Sequence, residues 1–185
     1  EEIRDVVFHL YGSFAQTLLG HGTDKALVGG IIGIRPDDER LIRSHIYAKE
    51  KNISYTFIAH DSMLSNANSV RFDMTGKKGI KTRVSGVSIG GGSIAIEKIN
   101  DTHLYISLKY NTLIIDHLDR PGAVLSVTKI LAENNINIAS LDVYRKSKHD
   151  TAYMIIEIDE DIDEETMNKL RKLDTMHAIY IPMLY

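Results

Sequence analysis

The chain has 185 residues, enough for one sizeable core or two small domains. Hydrophobic residues at 43% and charged residues at 25% are ordinary for a globular protein, and a net charge of −3 gives no basic footprint for nucleic acid. The absence of cysteine excludes disulfides, a thiol nucleophile and any cluster or zinc site built from this chain's own thiolates.

In chain order, residues 3–11 predict a strand in which Val6, Phe8 and Leu10 alternate with Asp5, Val7 and His9. One or two helical turns follow over 13–19, then a glycine turn at 20–22 and a buried helix over 25–33. Gly29 and Gly30 in that helix allow close backbone approach. The longest apolar run, 26–34, contains three glycines and is far shorter than the roughly 20 residues that span a bilayer. No signal peptide is visible, so the expected setting is cytoplasmic, without a membrane partner. Pro36 suits the first turn of a helix over 37–51, with Asp37, Asp38 and Glu39 at its positive end and Leu41, Ile42, Ile46 and Tyr47 as its apolar stripe.

After Asn52 the period changes to two. Strands are predicted over 53–58, 69–74, 79–89, 93–99 and 104–110, with a hairpin signal at Gly76-Lys77-Lys78-Gly79 and a glycine triplet at Gly90-Gly91-Gly92. An α+β domain therefore occupies 1–109. Residues 110–185 carry a β-α-β-β-α-β pattern: strand 113–117, helix 121–134, strands 136–144 and 151–158 about a polar turn at 146–150, helix 163–173 and strand 178–183. The helices present Val124, Val127, Ile130 and Leu131, and Met167 and Leu170, to one face of the sheet, the ferredoxin-like arrangement. Six of the seven residues from Asp159 to Glu165 are acidic; they read as a solvated loop and helix start, with no metal site.

Chemistry concentrates in Gly20-His21-Gly22-Thr23-Asp24-Lys25. An imidazole between two glycines stands unshielded on a tight turn, and Thr23 and Asp24 are residues that open helices. The triplet after Ser88 lacks the Lys-Ser or Lys-Thr of a phosphate loop and continues as strand. A bulge or sharp inter-strand bend is expected there, with a small-anion nest from Ser88, Gly90, Gly91 and Gly92 as the functional candidate.

The region from about Leu113 resembles an ACT domain, on Asp119-Arg120-Pro121-Gly122 and on Asn134-Asn135-Ile136-Asn137-Ile138. It closely resembles the serine-sensing ACT domain of D-3-phosphoglycerate dehydrogenase. That likeness implies a regulatory amino-acid site at His117, Asp119, Gly122 and Asn137, and a homodimer through paired ACT domains. Asp119 stands where the relatives have asparagine, and its carboxylate suits a ligand ammonium while repelling a ligand carboxylate. The stretches Phe8-His9-Leu10-Tyr11-Gly12-Ser13, Gly20-His21-Gly22-Thr23-Asp24-Lys25 and Ser88-Ile89-Gly90-Gly91-Gly92 resemble the β chain of iron–sulfur-dependent bacterial L-serine dehydratase. That segment is similar in fold to the allosteric substrate-binding domain of the same dehydrogenase. The Ser-Ser-Ser-His-Thr segment with which family β chains begin does not occur in these 185 residues, so half of the chain's expected contribution to an active site is lacking from them.

The resemblance implies a subunit that converts L-serine to pyruvate and ammonia together with an α chain, whose [4Fe–4S] cluster binds the substrate hydroxyl. In this scheme the isolated chain is inactive. His21 is the candidate base, with Thr23 and Asp24 orienting its turn and Tyr11 and Ser13 lining the pocket; an imidazole of ordinary pKa, roughly 6.5, is neutral and available near pH 7. The remaining histidines read as surface or core. The alternative is a purely regulatory amino-acid-binding module, a serine sensor like the dehydrogenase tail.

Overall fold

A computed structural model of the chain describes residues 1–18, 20–61, 68–145, 147, 150–173 and 176–183. Parts of two predicted features, the end of the 13–19 helix at Leu19 and most of the 146–150 turn with His149, lie outside the described residues. The chain forms two compact units, Glu1–Asn100 and Asp101–Tyr185.

The first unit runs β1 (Ile3–Gly12), α1 (Ser13–Thr17), α2 (Thr23–Ile31), a 3-10 turn (Glu39–Arg43), α3 (Ser44–Glu50), β2 (Ser54–His60), β3 (Asn68–Gly76), β4 (Lys81–Gly90) and β5 (Ser93–Ile99). Its strands are ordered β2-β1-β3-β4-β5, with β1 and β2 parallel and the other pairs antiparallel. The parallel pair needs a crossover, which the helices supply. Alternation along β1 turns Val6 and Phe8 toward that helical layer, where they pack with Val28 of α2 and Ala48 of α3. Phe8 stacks on Phe57 with ring centroids 4.8 Å apart and meets Phe72 edge-on at 5.5 Å.

The predicted helix over 37–51 is divided. Asp38 accepts a hydrogen bond from Arg40 N at 2.8 Å, and Leu41 N closes an i to i+3 bond to Asp38 O, which tightens this stretch into the 3-10 turn before α3 begins. Its apolar stripe is also displaced: Ile42 and Ile46 are 70% and 55% exposed, while Ser44 and Ala48 are fully buried. The cause lies in α2. A Cβ on Gly29 would run into Leu41 Cδ1 and touch Ser44 Cβ, so the two helices meet across small residues and the bulky isoleucines turn outward. No such contact surrounds Gly30.

The second unit opens with β6 (Thr102–Ile106) and continues as β7 (Asn111–Leu118), α4 (Ala123–Glu133), β8 (Ile138–Arg145), β9 (Thr151–Ile158), α5 (Glu164–Arg171) and β10 (Met176–Ile181). The last four strands form an antiparallel sheet ordered β10-β7-β9-β8. Leu113, Ile115, Met154, Ile156 and Ile158 face Val127 and Leu131 of α4 and Met167 and Leu170 of α5. Both helices cover one face, as the pattern predicts; Val124 alone of the expected α4 stripe leaves the core, at 38% exposure. Asp163 caps α5 by accepting from Thr166 N at 2.7 Å. Among the described residues no helix is long and apolar enough to cross a membrane.

Candidate functional site

Strand register brings two distant stretches to one end of the first sheet. Gly12, at the end of β1, is paired with Asn68 at the start of β3, and the next residue, Ser69, is paired with Val87 near the end of β4. Tyr11-Gly12-Ser13 and Ser88-Ile89-Gly90 therefore lie at the same sheet end with only β3 between them. Ser13 Oγ donates to Asn68 Oδ1 across this end. The chain leaves β1 there as α1, which packs over β1, β2 and β3, and the glycine turn follows at once.

That turn is tied down by its backbone. Gly20 N and His21 N both bond Thr17 O, at 3.1 and 3.3 Å, and Asp24 N reaches Leu18 O. Gly22 takes the left-handed conformation, φ 72° and ψ 17°, as the residue before α2; Gly20 does not. The His21 side chain is exposed. Neither Thr23 nor Asp24 caps the helix by a side chain, contrary to expectation: both lie within its first turn, behind Gly22.

Asp24 turns inward instead. Its side chain is buried, and Oδ2 accepts from His45 Nε2 at 2.8 Å while Oδ1 has no hydrogen-bond partner among the described residues. The other ring nitrogen of His45 lies 2.9 Å from Tyr55 Oη. Tyr11 is buried on the sheet face away from α2 and α3, where its ring stacks on His60 at 4.6 Å. His60 Nε2 is 2.9 Å from His9 Nδ1, and His9 Nε2 is 3.3 Å from Asp73 Oδ2. Asp73 also binds Arg71 at 3.0 Å and Arg83 at 3.1 Å, and Arg71 Nη1 reaches Tyr11 Oη at 3.5 Å. Burial, then the Arg71 charge, holds the His9 imidazole below its ordinary pKa, against an opposing pull from Asp73.

Sequence reasoning missed both relays, having read His9, His45 and His60 as surface or core. A signal for the second was available: His9 and Tyr11 on β1 and Arg71 and Asp73 on β3 share the polar phase of their strands. Nothing in the local sequence pairs Asp24 with His45.

At Gly90-Gly91-Gly92 all three residues have positive φ, 89°, 61° and 79°, and the β4–β5 ladder shifts register between Ser88 and Gly90. The triplet is the expected inter-strand bend with an irregularity beside it.

In the second unit, Asp119, Arg120, Pro121 and Gly122 join β7 to α4, with Gly122 at φ 87°. Together with His117, Val143 and Arg145 they line a cleft of about 490 Å³. The buried His117 ring bonds the Leu118 carbonyl through Nδ1 at 2.8 Å, so that nitrogen carries hydrogen, while Nε2 is buried without a partner among the described residues. Asp119 Oδ2 lies 3.6 Å from Arg145 Nη1, which places both signs of charge on the cleft wall. Asn137 is not among the lining residues: it is exposed, and its side chain donates to Asp159 Oδ2 at 2.6 Å. Among the described residues no group of three potential ligands is arranged to hold a metal ion.

A ferredoxin-like unit with this cleft, following an α+β unit with an exposed histidine turn, makes this a two-unit α+β protein. The ACT domain family matches residues 111–175. The chain is 34% identical over 168 residues to the protein described as "Probable L-serine dehydratase, beta chain" of Bacillus subtilis (strain 168), covering 91% of this chain and 76% of that one. It is 35% identical over 160 residues to the L-serine dehydratase beta chain of Peptoniphilus asaccharolyticus, covering 86% and 72%. A D-3-phosphoglycerate dehydrogenase of Bacillus subtilis (strain 168) is 28% identical over 97% of this chain but only 34% of its own. A solved structure, the uncharacterized protein TM1266 from Thermotoga maritima, overlaps at TM-score 0.32 and 19% identity across 40% of this chain and 96% of its own, a likeness that carries no assignment. The chain belongs to the family of L-serine dehydratase β chains, subunits of a lyase.

Proposed function

We propose that this chain completes the active site of L-serine dehydratase by lending His21 to a substrate held against a separate α chain. The observation that carries the reading is the exposed imidazole on the Gly22 turn, which follows directly from the sheet end shared by Tyr11-Gly12-Ser13 and Ser88-Ile89-Gly90. The [4Fe–4S] cluster expected of the enzyme does not fit this chain, which has no cysteine to hold one, and we assign it to the α chain.

His21 acts as general base. Its neutral ring takes the α-proton of L-serine as the Cα–H bond breaks. The Cβ–O bond breaks and the leaving hydroxide takes up a proton, so that H and OH are lost together as water. The resulting enamine tautomerises to an imine that water hydrolyses to pyruvate and ammonia. The N–H groups of the glycine triplet, near Ser88 at the same sheet end, are suited to the substrate carboxylate. Ser13 borders the pocket. Tyr11 supports it from beneath through the His60 and Arg71 contacts, and Thr23 and Asp24 hold the turn.

The cleft at His117, Asp119 and Gly122 supports a second, regulatory role as an amino-acid site, since Asp119 and Arg145 suit the two charges of a zwitterion and the unpartnered His117 Nε2 suits a ligand donor. Asn137 lies away from the cleft within one chain and would contribute only across a pair of ACT domains. One set of measurements separates catalysis from sensing alone. Reconstituted with its α chain, His21→Ala or His21→Gln loses pyruvate formation by roughly 10²–10⁴-fold with folding and α-chain binding intact. Near wild-type turnover removes His21 from the mechanism. Calorimetric binding of L-serine that His117→Ala abolishes and His21→Ala leaves alone, without any turnover in the complex, leaves only the sensor.

A further inference from the structure

The buried carboxylate of Asp24 is the least expected group in the first unit. A residue in the first turn of a helix has free backbone N–H groups beside it, yet Asp24 sends its side chain away from them and into the layer between α2 and α3. There, among the described residues, it has one side-chain partner, His45, and Oδ1 has none. Buried carboxylates so sparsely satisfied are uncommon. A carboxylate only accepts, so His45 must present Nε2–H to it, and in the neutral ring Nδ1 is then an acceptor for the Tyr55 hydroxyl.

We propose that His45 is a positioning residue for the His21 turn, acting through Asp24; the catalytic part of this inference rests on the reading of His21 as base. Tyr55 on β2 fixes the ring of His45, His45 fixes Asp24, and Asp24 lies three residues beyond His21 and two beyond the left-handed Gly22. A second tie runs parallel to it: Ser44 Oγ donates to Lys25 O at 2.9 Å, so neighbouring residues of α3 grip consecutive residues of α2. Rotation of the first turn of α2 would swing His21 at its outer edge. The relay holds that rotation from the rigid sheet, and a base displaced by about 1 Å loses on the order of 10²-fold in rate.

The test uses three variants of the full chain. His45→Phe keeps a planar aromatic ring and removes both hydrogen bonds, to Asp24 and to Tyr55; His45→Gln can return an N–H near the Nε2 position; His21→Ala calibrates the assay. In the chain alone, His45→Phe speeds amide hydrogen exchange over residues 20–25 by about 10-fold or more while the β1 and β3 amides keep their protection. In the reconstituted enzyme it lowers kcat roughly 10- to 100-fold with KM within about 2-fold, and His45→Gln recovers most of that loss. Unchanged exchange and unchanged kcat in His45→Phe overturn the proposal, as does an equal loss in the phenylalanine and glutamine variants. Full activity in His21→Ala defeats the catalytic reading instead, and the exchange data still decide whether His45 holds the turn.

Discussion

The two glycines flanking His21 are alike in sequence and opposite in conformation, which gives paired substitutions of opposite sign. Gly22 sits at φ 72°, and a Cβ built there meets nothing within 4 Å among the described residues, so the cost of Gly22→Ala is backbone strain. The left-handed conformation costs an L-residue about 1–2 kcal/mol, and the stiffer unfolded chain returns about 0.4–1. The net loss is about 1 kcal/mol. Gly20 has no positive φ, and its Cβ would lie 3.9 Å from Thr17 O, an ordinary contact, so Gly20→Ala keeps the entropic gain of about 0.5 kcal/mol. For a unit of 100 residues each kcal/mol moves Tm by about 4–8 °C, so Gly22→Ala melts about 5 °C lower and Gly20→Ala a few degrees higher. Thermal melts of the chain followed by circular dichroism measure both. Equal destabilisation by the two variants, or none in Gly22→Ala, refutes the argument that one glycine serves conformation and the other only leaves the imidazole uncovered.

The His9 relay predicts a pH slope. Because burial and Arg71 hold the folded pKa of His9 below the ordinary 6.5, the unfolded chain takes up the proton first. This group therefore opposes folding as pH falls below 6.5 and has no effect above it. Urea melts between pH 5 and 7.5 should show that slope flattened in His9→Gln, and an unaltered slope would exclude His9 as its source. In the second unit, Leu131 is fully buried between α4 and the sheet, so Leu131→Ala loses about 2–5 kcal/mol of that unit's stability, read by denaturant titration with the first unit's core amides unchanged in hydrogen exchange. A loss under about 1 kcal/mol would mean that the core of the second unit is not packed as described.

Strands and the ferredoxin-like order were legible because their signal is periodic and local: Val6, Phe8 and Leu10 alternate, and Leu113 and Ile115 sit two apart on the face that α4 and α5 cover. The helix over 37–51 was misjudged because its outward isoleucines are set by a neighbour. Only the approach of Gly29 to Leu41 and Ser44 decides which side of α3 is buried, and that approach lies more than ten residues away along the chain. Asp24 was misread for a related reason. Its position at a helix start suggests a cap, but the stronger claim on it comes from His45, 21 residues later.

What the sequence determined by itself was composition, periodicity and local turns: no thiolate for a cluster, two α+β units, and a histidine set between glycines. Those properties reside in single residues and in spacings of two to four. The tertiary structure alone decided partnership: Ser13 with Asn68, Asp24 with His45, Tyr11 with His60 and Arg71, and Asn137 with Asp159 instead of the His117 cleft. Hydrogen bonds and ring contacts act over a few ångströms, and only strand register and helix packing bring residues tens of positions apart within that range.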